Sequence, residues 1–303
     1  MTHHFEIMAK VALVIIYNHR YDDNIKILER IYKGRFSHIY HLIPFYDGDK
    51  SNVIPVYENS YYFQGYLSQG LKAYLKEDYD HYFFVADDMM INPIINEENY
   101  KEHLNLELDS NFFPELISFH KRKECWHWAR DAFRYNVKQK GIEVIGELPN
   151  YEEAKRRFTY FGLDLEPLHY QQIWNIERNQ NQFSKRKYLL SYPLVGGYSD
   201  MFVISSKIIK KFCHYCGVFA ATRLFVEIAV PTALVLSATV IVQEKDIELG
   251  GKALWANEDY MIFKPYDKKL EKLLTGFPEK LLYLHPVKLS KWDTTLWNKP
   301  EMN

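Results

Sequence analysis

The sequence predicts an α/β fold: a mostly parallel central sheet flanked by helices and interrupted by a helical and loop insertion. Three observations predict it. Short apolar runs alternate with segments of helical periodicity in the order β-α-β-β-α-β across the first hundred residues. The first of these runs is apolar throughout instead of alternating, as in strands covered on both faces. The same apolar character returns near residues 188–204 and 228–242, after a polar middle.

Residues 10–17 are the Val- and Ile-rich first strand, followed by a polar turn at 18–21. Asp22 or Asp23 can cap a helix that carries Ile25, Leu28 and Ile31 on one face. Residues 38–44 form the second strand and end in Tyr46-Asp47-Gly48-Asp49, a turn composition. Residues 53–57 read as a third strand. Residues 63–75 read as a helix with Leu67, Leu71 and Tyr74 together, and 81–85 as a fourth strand that runs directly into Ala86-Asp87-Asp88. Ligands in such sheets bind beyond the carboxyl ends of the strands, which singles out Asn18, Asp47 and Asp87-Asp88.

Residues 97–190 are polar, charged and aromatic, and read as helices and long loops inserted into the sheet domain. Their basic clusters, Lys121-Arg122-Lys123, Arg156-Arg157 and Lys185-Arg186-Lys187, read as solvated faces. A buried helix after Glu227 runs into a strand at 240–243. A short helix near 268–274 precedes the apolar run 281–285.

With 47% hydrophobic and 25% charged residues, the chain has the balance of a folded globular protein. Its 38 basic and 39 acidic residues leave a net charge of −1, which excludes nucleic-acid binding through overall charge. The 24 tyrosines suit pockets that stack bases or sugars, and ordinary cores equally. Three cysteines are too few for a disulfide framework and fit a reducing compartment. Cys213-His-Tyr-Cys216 has the spacing of half a zinc site. Its other half would be Cys125 with His127, whose spacing is atypical, so Cys213 and Cys216 read as buried thiols. The start of the chain lacks the apolar core of a signal peptide, its His3-His4 pair reads as an appended scar, and the domain is taken from residue 8. The apolar run 228–242 carries Pro231 and is shorter than the roughly 20 residues of a membrane span.

Asp87 and Asp88 follow the apolar stretch 82–86. Adjacent carboxylates at a buried strand end repel each other and lose hydration, so they need a cation, an arginine or a proton. A divalent metal bridging to a diphosphate supplies that cation. The plainer reading is that both cap the following turn.

The stretch Phe83-Phe84-Val85-Ala86-Asp87-Asp88-Met89-Met90-Ile91-Asn92-Pro93 resembles the metal-binding strand end of GT-A-fold glycosyltransferases. Asp88 falls on the second Asp of their Asp-any-Asp motif, Asp87 on the middle position, and Ala86 replaces the first Asp. Leu194-Val195-Gly196-Gly197-Tyr198-Ser199-Asp200 resembles the glycine loop beside the donor sugar. Residues 217–227 resemble the segment ending in the family's Glu-Asp motif, with Glu227 as the Glu and Ile228 in place of the Asp. Tyr283-Leu284-His285-Pro286-Val287-Lys288 resembles the C-terminal segment whose His completes metal coordination.

The resemblance implies a Rossmann-like GT-A domain over residues 8–303, with a nucleotide-binding half (8–96), the insertion (97–190) and an acceptor-binding half (191–303). It implies a metal-dependent glycosyltransferase of bacterial polysaccharide or oligosaccharide assembly, using a nucleotide diphosphate sugar, UDP-sugar favoured. Mn²⁺ or Mg²⁺ would be held by Asp88, Asp87 and His285. The nucleotide sugar would meet Tyr17, Asn18, Asp47, Asp87, Gly196, Gly197, Ser199 and Asp200, with a tyrosine stacked on the base. Lys288 and Lys291 would neutralise the diphosphate. Glu227, in apolar company that would raise its pKa toward a general base, would deprotonate the acceptor with inversion. The acceptor would be a glycan or lipid-linked oligosaccharide. The enzyme would be cytoplasmic, at the inner membrane face where the acceptor is lipid-borne. Ala86 and Ile228 keep open a catalytically inactive carbohydrate-binding or assembly protein. A sugar nucleotidyltransferase is a further alternative, disfavoured because the turn 17–20 has no glycine.

Overall fold

The computed structural model describes residues 10–119, 132, 134–136, 141–163, 165 and 190–295. Its strands are β1 (Val11–Ile16), β2 (His38–Pro44), β3 (Val53–Val56), β4 (His81–Ala86), β5 (Met90–Ile91), β6 (Ser110–Phe112), β7 (Met201–Ser205), β8 (Val240–Val242), β9 (Gly250–Ala253) and β10 (Leu281–His285). The helices are α1 (Asp22–Tyr32), α2 (Gln64–Tyr74), the single turn α3 (Tyr100–His103), α4 (Tyr151–Tyr160), α5 (Ile209–Ala221), α6 (Val226–Ser237) and α7 (Leu270–Thr275). Seven strands form the main sheet in the order β3-β2-β1-β4-β7-β6-β8. It is the mostly parallel, helix-flanked sheet expected. Among these strands only β7 runs against the others.

β1 is apolar throughout because both of its faces are covered. Ala12, Val14 and Ile16 pack into a layer with Tyr66 and Leu67 of α2, Phe212 of α5 and Leu234 of α6. Val11, Leu13 and Ile15 face the opposite layer, with Leu28 of α1 and Leu270 of α7. Leu13 lies opposite Ile39 on one side and Phe83 on the other, so β1 and β4 end at the same edge. A second, three-stranded sheet, β5-β10-β9, sits at that edge.

The structure differs from expectation at the insertion. β6 lies within residues 97–190, yet it is an interior strand between β7 and β8. It has only three residues, two of them polar, so it carries no apolar run. Its Asn111 side chain supplies cohesion instead, accepting from the Ser205 N–H at 2.9 Å and donating to the Val240 carbonyl at 3.0 Å. α5 has no counterpart in the sequence reading; it buries eight of its thirteen residues, with Lys210, Lys211 and His214 on its exposed face.

Arg156 is exposed as expected. Arg157 is not merely solvated: its guanidinium lies 5.7 Å from the Tyr160 and Phe161 ring centres, and its Nε donates to the Val235 carbonyl. The Lys121 and Lys185 clusters and the Cys125/His127 pair lie outside the described residues. Cys213 and Cys216 are buried thiols on α5, with the Tyr74 hydroxyl 3.4 Å from the Cys213 Sγ. Burial pushes the Cys213 thiol up to about 12. Among the described residues no helix is long and apolar enough to cross a membrane.

Candidate active site

β4 delivers the two adjacent aspartates to the sheet edge and sends them in different directions. The Asp87 N–H donates to the Ile16 carbonyl at 2.9 Å, continuing the β1–β4 ladder by one residue. Its carboxylate turns toward β1, accepting from Asn24 Nδ2 at 3.0 Å and from the Asn18 N–H. Burial and the Asp88 charge push the Asp87 carboxyl up to about 7, against those two hydrogen bonds.

Asp88 turns toward the small sheet. Its carbonyl accepts from the Val287 N–H at 2.6 Å, and its Oδ1 lies 3.0 Å from His285 Nε2. The approach is set by pairing: Tyr283 faces Ile91 across the β5–β10 ladder, and Asn92 bonds the Leu281 and Leu282 carbonyls. The other His285 nitrogen, Nδ1, is bonded to the Tyr198 hydroxyl, which orients the ring. Burial opposes protonation of His285. The Asp88 hydrogen bond and the charges of Asp200, Asp88 and Asp87 outweigh it and raise its pKa. Burial and Asp88 likewise push Asp200 up, against the opposing His285 charge.

The glycine loop is tied to α6 by a proline. Pro231 has no N–H, so the Glu227 carbonyl four residues earlier lacks its helical donor. The Gly197 N–H supplies one at 2.9 Å. Thr232 adds a bond from the Val195 N–H to its hydroxyl at 3.1 Å. Gly196 exchanges both backbone hydrogen bonds with Ile117. Gly197 must be glycine, because a Cβ there would stand 2.4 Å from the Phe113 ring and 2.5 Å from the Glu115 carbonyl oxygen. Ser199 is buried, and its hydroxyl points back to the Gly197 carbonyl at 3.4 Å. Every residue of α6 except Glu227 is buried. Glu227 is half-buried in the first helical turn, where the helix dipole favours its charge.

Glu227 opens into a cavity of about 520 Å³ whose lining includes Tyr198, Tyr283, Trp255, Glu115 and Glu244. Tyr198 is shared, since its ring lines the cavity and its hydroxyl holds His285. A larger hollow, about 970 Å³, lies beyond β1 and β2 and is lined by Arg20, Tyr46, Asp47 and Trp292 among others.

Several expected residues are placed differently from the sequence reading. Tyr17 is fully buried, with its hydroxyl 2.9 Å from His41 Nδ1, so its ring is unavailable to a base. The last position of an apolar strand points into the core layer, whereas Tyr46, two residues past β2, reaches the hollow. Asp47 is 78% exposed and paired with Arg20. Asn18 contributes its backbone N–H to Asp87. Lys288 and Lys291 are exposed just past His285, and neither ammonium forms an ion pair among the described residues. The residues missed in the sequence are Tyr198, Trp255, Tyr283, Glu115 and Glu244. The aromatic loop position Tyr198 and the tyrosine two before His285 were the available signals; nothing local marks Glu115 or Glu244.

Asp88 and His285 meet side chain to side chain, and among the described residues no three side chains converge to hold a metal. Asp87 is committed to Asn24 and Asn18. A carboxylate and an oriented imidazole amid surplus negative charge fit Mn²⁺ or Mg²⁺, whose remaining positions are commonly filled by substrate phosphates and water.

The sequence matches no family model and no curated protein. Solved structures resemble the fold faintly. A galactosyltransferase, LgtC, in complex with donor and acceptor sugar analogues is 8% identical over 94% of this chain and 93% of its own, with a TM-score of 0.38. An active-site mutant of LgtC is 10% identical over 94% and 93%, also at 0.38. The 4-diphosphocytidyl-2C-methyl-D-erythritol synthase from Anaerococcus prevotii DSM 20548 is 11% identical over 86% and 97%, at 0.35. Likeness this faint carries no residue correspondence and no activity.

Proposed function

We propose that this protein is a metal-dependent glycosyltransferase. It moves a sugar from a nucleotide diphosphate sugar, UDP-sugar favoured, to a hydroxyl of a glycan or lipid-linked acceptor. The observation that supports this reading is the convergence at one strand end of the Asp88–His285 pair with the Glu227 cavity, joined through Tyr198. The nucleoside takes the hollow beyond β1 and β2, whose lining includes the half-buried Tyr46 with Arg20 5.9 Å from its ring centre, in place of the buried Tyr17.

Asp88 and His285 would hold Mn²⁺ or Mg²⁺, which would supply positive charge to the departing diphosphate. Lys288 and Lys291 add positive charge beside His285. Glu227 takes the acceptor hydroxyl proton on its carboxylate as the oxygen bonds to the anomeric carbon. The bond from that carbon to the diphosphate oxygen breaks, and its electron pair leaves with the phosphate. Attack opposite the leaving group gives inversion. A lipid-borne acceptor would bring the protein to the cytoplasmic face of the membrane.

Thermal unfolding with UDP, GDP, CMP and dTDP, each with Mn²⁺ and with chelator, tests the donor site. Ligand at about 100 times its dissociation constant adds roughly 2.7 kcal/mol. One nucleotide should stabilise the protein only with metal and only while Asp88 is intact. No response to any of the four ends the donor-site reading. Ala86 and Ile228, where the resemblance has acidic residues, favour a second reading as a sugar-binding protein without turnover. Release of free nucleotide from the donor in the presence of acceptor separates the two.

A further inference from the structure

The cavity beside Glu227 has an aromatic floor and acidic walls. Tyr198 and Tyr283 are stacked, with centroids 5.9 Å apart and 18° between planes. Trp255 stands edge-on to Tyr198 at 6.3 Å, and 76% of its surface is exposed. The indole is exposed on a pinned backbone. Asp259 Oδ2 accepts from the Trp255 and Ala256 N–H groups, each at 2.9 Å, and Asp259 Oδ1 is held by Lys252 Nζ at 2.6 Å. A large ring held out to water at a cavity mouth is the complement of a pyranose, whose C–H face is apolar and whose rim is polar.

The walls decide which pyranose. Glu115, Glu227 and Glu244 line the cavity, and among the described residues no lysine or arginine does. Glu244 is fixed at both oxygens, accepting from the Tyr283 hydroxyl at 2.8 Å and from the Gly251 N–H at 3.0 Å. That packing requires glycine at 251, since a Cβ would stand 2.0 Å from the Tyr283 ring. Lys252, the neighbouring cation on β9, is engaged with Asp259. Carboxylates in such a wall accept hydrogen bonds from hydroxyls, attract an ammonium and repel a second carboxylate.

We infer that this cavity is the acceptor subsite and selects a hexose lacking a carboxylate, an amino sugar with a free ammonium ahead of a neutral one, seated on Trp255. Only the word acceptor rests on the transferase reading; the sugar preference rests on the cavity itself.

The test is direct binding by titration calorimetry and saturation-transfer NMR. The probes are the methyl glycosides of glucosamine, glucose and glucuronic acid, at a pH where the amine is protonated. The proteins are wild type, Trp255→Ala and Glu244→Gln, each with and without UDP and Mn²⁺. The glucosaminide should bind about five-fold or more tightly than the glucoside, and the glucuronide should not bind. Trp255→Ala should weaken both bound glycosides about ten-fold. Glu244→Gln should narrow the ammonium preference while the glucoside still binds. Equal binding of the glucuronide, no binding of any glycoside by wild type, or unchanged binding in Trp255→Ala would each overturn the inference. Failure of the transferase reading looks different: Trp255-dependent glucosaminide binding with no metal-dependent nucleotide response keeps the sugar site and removes the transfer.

Discussion

Two strand ends of the same sheet treat their charges in opposite ways. Beyond β1 and β2, Arg20 binds the Asp22 carboxylate through Nε and Nη2, pairs with Asp47, and donates to the Phe45 carbonyl at 3.2 Å. Its presence holds the Asp47 carboxyl below its usual value. These three charges are paired with one another and face solvent. Beyond β4 and β10, Asp88 contacts one imidazole whose proton the charges of Asp200 and Asp87 also favour, and burial pushes Asp87 and Asp200 up instead of down. A protein gains nothing in stability from that surplus, so on the proposed reading the second edge is the one that would take a ligand bringing positive charge.

The sharpest way to break this comparison is Asp88→Asn. The change keeps the shape, removes one charge of the surplus, and removes the carboxylate that faces His285 Nε2. Transfer should fall by about a thousand-fold or more, as for loss of a group that stabilises charge in the transition state. The metal-dependent nucleotide stabilisation should vanish, while the unliganded thermal midpoint stays level or rises because repulsion is relieved. A variant that keeps metal-dependent nucleotide binding would make the β4 edge as self-contained as the β1 edge. Gly197→Ala comes next. Its methyl would meet the Phe113 ring and the Glu115 carbonyl, and backbone cannot step aside as a flexible side chain can. Chemical denaturation should show a loss of about 1–3 kcal/mol. Gly196→Ala, whose Cβ finds ordinary 3.6 Å contacts, is the control.

The parallel half of the fold was legible because its signals are local. β1, β2 and β4 carry apolar runs, and α1 carries Ile25, Leu28 and Ile31 on its buried face. β6 and β9 were not legible. β6 is three residues held partly by the Asn111 side chain, and β9 is Gly-Gly-Lys-Ala with no buried residue. The site divides the same way. Asp87, Asp88 and Glu227 stand out as carboxylates in apolar surroundings. Glu115 and Glu244 lie just beyond the paired strands β6 and β8, and the close of β10 against β9 adds Tyr283 and the loop carrying Trp255. Tyr17 misled because composition counts tyrosines without saying which side of a strand each one faces.

The two ends of β4 also hold two histidine arrangements that respond oppositely to acid. At the amino end His81 is buried between the Tyr100 hydroxyl, 2.8 Å from Nδ1, and the Ser110 carbonyl, 3.1 Å from Nε2. One ring nitrogen accepts and the other donates, which the neutral ring satisfies completely. Burial lowers its pKa to about 4. The unfolded chain takes up that proton near pH 6.5, before the folded one does, so stability is full above about 6.5 and falls as pH drops toward 4. At pH 5 the loss from His81 is about 2 kcal/mol. Urea unfolding at pH 7 and pH 5 should show this difference shrinking in His81→Gln. His285, held among carboxylates, contributes no loss of this sign.

The smallest expected effect belongs to Arg20→Ala. The guanidinium is solvent-exposed, as are the Asp22 and Asp47 carboxylates that it pairs with. Exposed pairs gain little from Coulomb attraction, lose side-chain freedom, and are screened by salt. The thermal midpoint without ligand should therefore not move measurably, either at low salt or at physiological ionic strength. Asp47, relieved of its cation, remains hydrated, unlike the carboxylates of the β4 edge. A large destabilisation that disappears in salt would mean that the Arg20 network carries long-range order across the β1 and β2 turns. It would also mean that charge balance at a strand end says less about where a ligand sits than the contrast with Asp88 suggests.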